Sequence, residues 1–366
     1  MTRRLSDVLK GHDNNYAFIR LICAYLVVFQ HAIFLASANY DLHDKFSFMH
    51  IEFSAVAVQV FFVISGFLVT GSLITRGCLT DFIWSRILRI MPALLVVLTL
   101  SIFLVGPLVT TQEVPEYLSS FETYRYLVQN SLLVFGAYYE LPGVFESNPY
   151  ASIVNGSLWT LPHELRLYLM LAFFWLITSL STVSRLGIRL NHLLITVALV
   201  CFVTILDEPM VVSEHSTKAV LILLFVSGGL FRYYASYVPL SGIFALGFIL
   251  TLVILAITGV SNLFYILYVL AIPYLLLFCA YFPSRFMRWF NKLGDYSYGI
   301  YIYSFVIQQS MVFYIVAIDE MTLLVLSTLA SFFIAFLSWH LLEQRALKHR
   351  KAIVAFSKKM MGLDEN

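Results

Sequence analysis

The chain is short of charged side chains: 12% of its 366 residues are Asp, Glu, Lys or Arg, whereas a soluble domain usually carries about 25%. Cysteine is also scarce. The four cysteines lie mostly inside apolar runs and have neither the spacing of a disulfide framework nor that of a metal site. With 60% hydrophobic residues and a mean hydropathy of +0.85, the composition excludes an ordinary soluble domain and indicates a polytopic membrane protein. We predict neither a metal nor a nucleic-acid partner.

Long runs without a charged residue mark the expected membrane spans. They occupy residues 21–40, 53–75, 90–112, 167–184, 190–206, 219–231, 233–284, 296–318 and 321–342. The run at 233–284 is long enough for two spans, and we expect a break near Gly259. The sequence therefore predicts an all-α, polytopic helical bundle of about ten transmembrane helices.

The basic residues indicate how the bundle is oriented. Lys and Arg gather at the termini and at alternate connections. The opposite connections are rich in Asp and Glu, and their only basic residues are Lys45, Arg125 and Lys218. Because cytoplasmic loops carry the excess of Lys and Arg, both termini are expected in the cytoplasm.

On this basis we divide the chain into three parts. Residues 1–15 form a polar, basic N-terminal segment in the cytoplasm, 16–345 form the transmembrane domain, and 346–366 form a basic cytoplasmic tail. The tail is expected to contact membrane lipid, because clustered Lys and Arg are attracted to anionic headgroups.

The first span carries one arginine and one histidine, Arg20 and His31. At about 100° and about 1.5 Å per residue, a step of eleven residues returns to nearly the same helix face after roughly 16 Å. Arg20 is therefore expected near the cytoplasmic surface and His31 about half a bilayer deeper on the same stripe. Ionisable groups at such depth usually face a cavity or a partner, which favours a functional site. Alternatively, Arg20 snorkels to lipid headgroups and His31 is a hydrogen-bonded core residue.

A second pair of cations lies at the cytoplasmic mouth of the third span. Arg86 and Arg89 are three residues apart and share a helix face. Paired guanidinium groups suit bidentate phosphate binding, but a positive-inside anchor explains them equally well. Because Arg20 is expected at the same membrane level, the three arginines together would form a receptor for a polyanionic cytosolic cofactor.

Four further residues are candidates, each with a structural alternative. Trp159 lies at the entrance of the fourth span, where it can also be an interfacial belt residue. Glu164 follows it and can simply pair with other charges. Ser65 precedes Gly66 in the second span, a sequence that also favours tight helix packing. Tyr298, at the start of the ninth span, can be interfacial or line a cavity.

In combination these stretches resemble one family, the membrane acyltransferase-3 proteins, which O-acylate bacterial surface and exported glycans. The resemblance covers residues 15–345. Its motifs, in family order, are Arg20 and His31 with ten residues between them, Phe61-Phe62-Val63-Ile64-Ser65-Gly66-Phe67, Arg86 and Arg89 before Pro92, Ser157-Leu158-Trp159-Thr160-Leu161 followed by Glu164, and Ser297-Tyr298-Gly299-Ile300-Tyr301.

The chain also departs from the family pattern. Ser304 and Val306 stand where many relatives have His and Pro, and Arg345 stands where many have Pro. The role that relatives give to that His is therefore not carried over. The chain resembles the stand-alone form of the family, without a fused esterase-like domain.

The resemblance implies an acyl-CoA donor, usually acetyl-CoA, that enters from the cytoplasm of a bacterium and is used in its inner membrane. It also implies a glycan or lipid-linked saccharide acceptor on the outer side. Arg20, Arg86 and Arg89 would bind the phosphates of CoA. His31 would deprotonate a sugar hydroxyl, for which an ordinary histidine pKa of about 6.5 is suited, or would carry the acyl group covalently.

The remaining candidates belong to the acceptor side of this hypothesis. Glu164 would orient the imidazole or contact the acceptor, so we group it with His31 as a catalytic candidate. Trp159 would stack on a sugar ring. We take Trp159, Ser65 and Tyr298 as candidate substrate-binding residues.

A transporter, or a glycan flippase or polymerase without acyl transfer, is the alternative. Such a protein can have the same number of spans and the same acidic outer face. Transporters often contain internal repeats with broken helices in corresponding halves, and this sequence contains no convincing repeat. Nor does transport require an arginine–histidine stripe beside an arginine pair.

Overall fold

A computed structural model describes residues 3–9, 13–37, 47–49, 51–207 and 214–362. Of these residues 79% are helical, and the strands among them form one antiparallel hairpin of Ser47–Phe48 (β1) and Ile51–Glu52 (β2). The predicted all-α class is therefore confirmed. Lys45 and parts of the predicted segments 1–15 and 346–366 lie outside the described residues.

The helices of the first half of the chain include four of the predicted spans. They are α1 (Leu5–Val8), α2 (Tyr16–Ser37), α3 (Phe53–Arg76), α4 (Leu79–Leu100), α5 (Gly106–Val109), α6 (Val114–Ser119), α7 (Phe121–Leu132), α8 (Thr160–Ser179) and α9 (Ser181–Arg185). A π-helical turn at Ser101–Val105 joins α4 to α5, and a 3-10 turn at Gly156–Trp159 leads into α8.

The second half continues in the same way. Its helices are α10 (Leu190–Asp207), α11 (Glu214–Tyr233), α12 (Gly242–Thr258), α13 (Ser261–Tyr281), α14 (Arg285–Trp289), α15 (Ser297–Tyr314), α16 (Glu320–Ser338), α17 (Gln344–Lys348) and α18 (Arg350–Met360). A 3-10 turn at Phe290–Lys292 follows α14, and a π-helical turn at Trp339–Glu343 joins α16 to α17.

Six helical segments are long and apolar enough to cross a membrane. These are Tyr16–Ala36, Phe53–Arg76, Leu79–Val109, Leu190–Asp207, Ser261–Tyr281 and Glu320–Lys348. The protein is thus a multi-pass membrane protein. The count of about ten spans and the cytoplasmic termini stay predictions.

Several helices begin earlier than the charge-free runs. The helix α4 starts at Leu79 and contains Arg86 and Arg89, and α8 starts at Thr160 and contains Glu164. A charged side chain does not interrupt the backbone hydrogen-bond ladder, so a run without charges marks only the apolar part of a helix. By contrast, the predicted break near Gly259 is confirmed: this glycine ends α12 with a φ of 69°, a left-handed conformation that favours glycine.

The chain divides into two compact units. The first consists of residues 1–20, 55–77 and 167–293, and the second of 21–54, 78–166 and 294–366. The helix α2 passes from the first unit into the second after Arg20.

In the first unit, α3 packs closely against α11. A Cβ atom at Gly66 would overlap the carbonyl oxygen of Phe225, and one at Gly228 would overlap the carbonyl oxygen of Val63. Small residues that let two backbones approach are typical of helix packing in membranes, where dispersion contacts replace the hydrophobic driving force.

The second unit is organised around a helical hairpin of α15 and α16. Gly299 of α15 faces Ala335 of α16, where an added Cβ would lie 2.8 Å from the alanine Cβ. In the same unit α18 lies against α4, held by a hydrogen bond from Trp84 Nε1 to Ser357 Oγ (2.8 Å).

Candidate functional site

The predicted site residues fall into both units. Arg20 and Ser65 belong to the first unit. The second unit contains His31, Arg86, Arg89, Trp159, Glu164 and Tyr298. We describe the surroundings of each group within its own unit.

Arg20 and His31 lie on one unbroken helix, α2, as predicted. Arg20 is half-buried, and its guanidinium carbon lies 6.0 Å from the ring centroid of Phe61 on α3. A guanidinium at that distance from an aromatic face is attracted by the ring quadrupole. The contact directs Arg20 toward protein rather than along lipid.

His31 is half-buried and packs edge-on against an aromatic ring. Its ring centroid is 5.1 Å from that of Phe305 on α15, with an interplanar angle of 82°. Phe305 in turn lies against Gly156, where an added Cβ would come within 2.7 Å of the ring. One helical turn after His31, Phe34 contacts Tyr150, with ring centroids 4.6 Å apart. These contacts fix the turn of α2 that carries the imidazole.

A glutamine of α15 attaches the preceding turn of α2 by a hydrogen bond. Gln308, which is fully buried, donates from Nε2 to the carbonyl oxygen of Val28 (2.9 Å) and to Ser327 Oγ on α16 (3.1 Å). Phe305 and Gln308 are one turn apart on α15, and they meet His31 and Val28, which are one turn apart on α2. Two successive turns are thereby held in register.

The segment before the fourth predicted span is also attached to α15 by side-chain amides. Asn155 Nδ2 donates to the carbonyl oxygen of Ile302 (2.8 Å), and Gln309 Nε2 donates to the carbonyl oxygens of Tyr150 (2.8 Å) and Ile153 (2.7 Å). Buried amides that meet backbone carbonyls satisfy groups that would otherwise be costly in an apolar interior. This network fixes the segment that immediately precedes Trp159 and the start of α8.

Arg89 forms the centre of a buried charge cluster. Its Nη2 donates to Asp295 Oδ2 at 2.7 Å, and its Nη1 lies 3.7 Å from Glu343 Oε2. The side chains of Arg89, Asp295 and Glu343 are 17%, 22% and 1% exposed. Removing one partner of such a buried pair leaves an uncompensated charge, so all three residues are expected to be needed together.

Two aromatic rings flank the Arg89 guanidinium. Its carbon lies 5.7 Å from the ring centroid of Tyr298 and 5.7 Å from that of Trp339. Tyr298 also donates from Oη to the carbonyl oxygen of Ile90 (2.9 Å). Trp339 fits because Gly294, with a φ of 120°, has no side chain where the indole nitrogen lies. The guanidinium is thus held by aromatic rings as well as by carboxylates.

Glu343 reaches Arg89 from the π-helical turn Trp339–Glu343. A π turn inserts an extra residue into a helix and rotates the following side chains, and such turns are frequent at functional sites. Ser338, just before this turn, donates from Oγ to Glu343 Oε1 (3.0 Å) and is paired with Tyr303 Oη (3.2 Å). The carboxylate is thus fixed from two sides.

Glu164 lies within electrostatic range of Arg89, Tyr298 and Tyr301. Its helix α8 is attached to α15 by a hydrogen bond between the hydroxyls of Thr160 and Tyr301 (2.8 Å). Two residues singled out by the sequence, Arg89 and Tyr298, are therefore in contact, and a third, Glu164, lies within electrostatic range of both.

The other two candidates of this unit lie near the cluster along the chain. Arg86 is half-buried on α4, one turn before Arg89, and its Nε lies 3.3 Å from Ser85 Oγ. Trp159 is half-buried at the entrance of α8 and packs edge-on against His163, with centroids 6.0 Å apart. The indole therefore retains exposed surface.

Ser65 has a clear structural role in the first unit. Its Oγ is hydrogen-bonded to Tyr168 Oη at 2.7 Å, and the adjacent Gly66 packs against Phe225. The alternative of tight helix packing is thus supported for this motif.

Sequence reasoning missed four residues that hold these clusters. Asp295 and Glu343 have a recognisable signal, since each is a carboxylate at the edge of an apolar run on the side where the arginines are expected. Phe305 and Gln308 have none, because the chain has 32 phenylalanines and nothing distinguishes these two positions before the helices are packed.

The fold and the clusters define a multi-pass membrane protein with buried polar groups on adjacent helices. The chain belongs to the acyltransferase-3 family, whose profile, described as an acyltransferase domain, matches residues 14–340. The predicted family membership is thus confirmed. No solved structure matches the chain significantly.

Two curated proteins show what the chain is similar to. It is 37% identical over 166 residues to nodulation protein 10 of Rhizobium leguminosarum bv. viciae, an alignment that covers 44% of this chain and 44% of that protein. The chain therefore spans less than half the length of this relative. It is 24% identical over 350 residues to an O-acetyl transferase of Shigella phage Sf6, covering 92% of this chain and 96% of the phage protein.

Proposed function

We propose that the protein is a membrane O-acyltransferase that moves an acyl group, most simply acetyl, from cytosolic acyl-CoA to a hydroxyl of a surface or exported glycan. The observation that carries the proposal is the family match over residues 14–340. The near full-length similarity to a protein named O-acetyl transferase supports the acetyl group. The acceptor class includes exopolysaccharide, O-antigen and lipid-linked precursors.

The finer membrane topology is part of this proposal. About ten helices span a bacterial inner membrane, and both termini lie in the cytoplasm. Support comes from the helices at all predicted spans, which measure between 17 residues (α12) and 24 residues (α3). Helices shorter than about 20 residues span when the local bilayer is thin or flanking residues snorkel.

The donor is proposed to bind at Arg20, Arg86 and Arg89. Guanidinium groups bind phosphate through parallel hydrogen bonds, and CoA carries several phosphate charges. Arg89 is already paired with Asp295 and Glu343, so much of its charge is offset. We therefore expect Arg20 and Arg86 to contribute more to donor affinity, and Arg89 to contribute more to the shape of the site.

His31 is proposed to move the proton. A neutral imidazole accepts the proton of a sugar hydroxyl while the oxygen attacks the thioester carbonyl and forms the new ester bond. The carbon–sulfur bond then breaks, and the thiolate of CoA takes the proton from the imidazolium. If the imidazole instead carries the acyl group, the same atoms are exchanged in two steps. Both routes require a neutral imidazole at the start.

The acceptor is proposed to contact Glu164, Trp159, Tyr298 and Ser65. Trp159 retains exposed surface on which a sugar ring can stack. Glu164 either accepts a hydrogen bond from a sugar hydroxyl or orients His31. Membrane lipid surrounds the helices, and the proposed reaction requires no metal.

The experiment is an assay of labelled acetyl transfer in membranes, combined with thermal unfolding of the purified protein in the presence of CoA. An acyltransferase is stabilised by CoA, because a ligand that binds only the folded state raises its free energy of unfolding. It also transfers the label from acetyl-CoA to glycan in these membranes. Absence of both effects would favour a transporter. Mass spectrometry of surface glycans from a deletion strain would then identify the acceptor by the missing acetyl group.

A further inference from the structure

Arg232 lies in the last turn of α11, in the first unit, and its side chain lies across a neighbouring helix. A Cβ at Gly71 of α3 would overlap Arg232 Nε, and the guanidinium carbon is 5.9 Å from the ring centroid of Phe67. An arginine that serves only as a positive-inside anchor extends its side chain toward the headgroups. The path over Gly71 therefore indicates another role.

The ring below Arg232 belongs to a cluster of three aromatic residues. Phe67 lies 6.3 Å from Tyr16 and 6.4 Å from Tyr281, and the two tyrosine rings are 5.7 Å apart. Arg232 lies within electrostatic range of both tyrosine side chains. A guanidinium with tyrosine hydroxyls in its surroundings is a set of groups that suits a phosphate oxygen.

Within the described part of the chain, Arg232 has neither an ion pair nor a hydrogen bond. Two other arginines of the same unit have such a partner: Arg288 is 2.7 Å from Asp13 Oδ1, and Arg4 donates to the carbonyl oxygen of Ser236 (3.2 Å). The Arg232 guanidinium carries a positive charge and five N–H donors, which an anion at this position would pair with.

Arg20 contacts the same helix α3 at a different level. Its partner Phe61 precedes Phe67 by six residues, which corresponds to about 9 Å along the helix. The two arginines thus contact α3 at two positions that are separated along the helix axis. An extended ligand with more than one phosphate group fits this arrangement better than a single anion does.

We propose that Arg232, with the hydroxyls of Tyr16 and Tyr281, binds one phosphate group of the acyl-CoA donor, while Arg20 binds another. This inference rests on the proposed function, because it assigns a further residue to the donor site. It distinguishes Arg232 from the exposed arginines on the same predicted side of the membrane.

The test compares acetyl-transfer kinetics of Arg232→Gln, Arg232→Lys and the control Arg189→Gln in proteoliposomes. Arg189 is exposed and also belongs to the first unit. Losing hydrogen bonds between charged groups should raise the apparent KM for acetyl-CoA about tenfold or more in Arg232→Gln. Arg232→Lys should give an intermediate value, and Arg189→Gln the wild-type value. The kcat at saturating donor should stay near that of the wild type.

A second donor, acetyl-dephospho-CoA, locates the phosphate. If the KM penalty of Arg232→Gln persists with this donor, Arg232 binds the pyrophosphate; if it disappears, Arg232 binds the 3′-phosphate. Both results support the inference. Tyr281→Phe, which removes one hydroxyl, should raise the KM about two- to tenfold, and with Arg232→Lys it provides the test if Arg232→Gln fails to insert.

An unchanged donor KM in Arg232→Gln would overturn the inference. A lipid comparison gives a second contradicting result. If the wild type is more active in anionic than in zwitterionic vesicles, and Arg232→Gln loses this difference while its donor KM is unchanged, Arg232 binds the phosphate of a lipid headgroup instead. A wild-type protein that neither binds CoA nor transfers acetyl would overturn the proposed function as well. The two failures are therefore distinguishable.

Discussion

Gln308 donates a hydrogen bond to the carbonyl oxygen of Val28 at 2.9 Å, one turn before His31. The residues are 280 positions apart in the chain, and the bond joins the helix with the proposed proton acceptor to the tightly packed α15–α16 hairpin. Catalysis depends on geometry at the scale of a single ångström. The position of the His31 imidazole is therefore set by residues that do not themselves react.

Replacing Gln308 by Met keeps the length of the side chain but removes the donor. Because a misplacement of about 1 Å can cost about 100-fold in rate, we expect kcat to fall about 10- to 100-fold. The apparent KM for acyl-CoA should change little. The control is Gln129→Met, at a half-buried glutamine of α7 in the same unit. A Gln308→Met protein with wild-type kcat would show that this bond does not position His31.

Gly156 tests the same geometry through its contact with Phe305. In Gly156→Ala the new methyl group would lie 2.7 Å from the Phe305 ring, so the ring must move and the edge-on contact with His31 must change. We expect a reduced kcat in a protein that still inserts and binds CoA. Gly247→Ala is the matched control, since nothing lies within 4 Å of a Cβ at that position. Equal activity in both variants would contradict this role of Phe305.

The charge cluster around Arg89 makes a prediction about stability. Glu343→Gln keeps the shape of the buried side chain but removes its charge, which weakens the pairing with Arg89. We expect the free energy of unfolding to fall by about 1–3 kcal/mol, the usual cost of leaving a buried polar group without its partner. The measurement is thermal unfolding in detergent, with the exposed Glu113→Gln as control. An unchanged transition would mean that Glu343 is not needed to balance Arg89.

Lysine substitutions separate the two arginines of α4. Arg86→Lys keeps the positive-inside charge but removes the planar fork that binds phosphate, so it should raise the apparent KM for acyl-CoA without changing that for the glycan. Arg89→Lys should additionally lower stability, because Arg89 is paired with Asp295. A two-substrate kinetic comparison in membranes measures both constants. Unchanged acyl-CoA kinetics in both variants would show that the pair is a membrane anchor.

The sequence predicted the helical class and many helix positions, because runs of apolar residues and glycine breaks depend on local chemistry. It placed helix starts too late where charges are paired inside the protein. The starts of α4 and α8 illustrate this, since Arg89 and Glu164 lie within helices and interact with groups on other helices. A run without charges cannot report a partner that is distant in the chain.

The candidate site itself stays a prediction, but two of its residues do meet. Arg89 and Tyr298 were selected from separate stretches, and they are in contact in the second unit. The supporting residues could not be selected in this way. Phe305 and Gln308 resemble many other residues of the spans, and only the packing of α15 against α2 gives them a partner.

The most direct test of the account is acetyl transfer by His31→Gln, measured in membranes with labelled acetyl-CoA and alongside CoA-dependent thermal stabilisation. Glutamine can form hydrogen bonds but does not accept a proton at neutral pH. General acid–base catalysis contributes about 10²- to 10⁴-fold to a rate. We therefore expect the rate of transfer to fall at least about 100-fold, while CoA still stabilises the protein. Near wild-type transfer in a well-inserted His31→Gln protein would contradict the account.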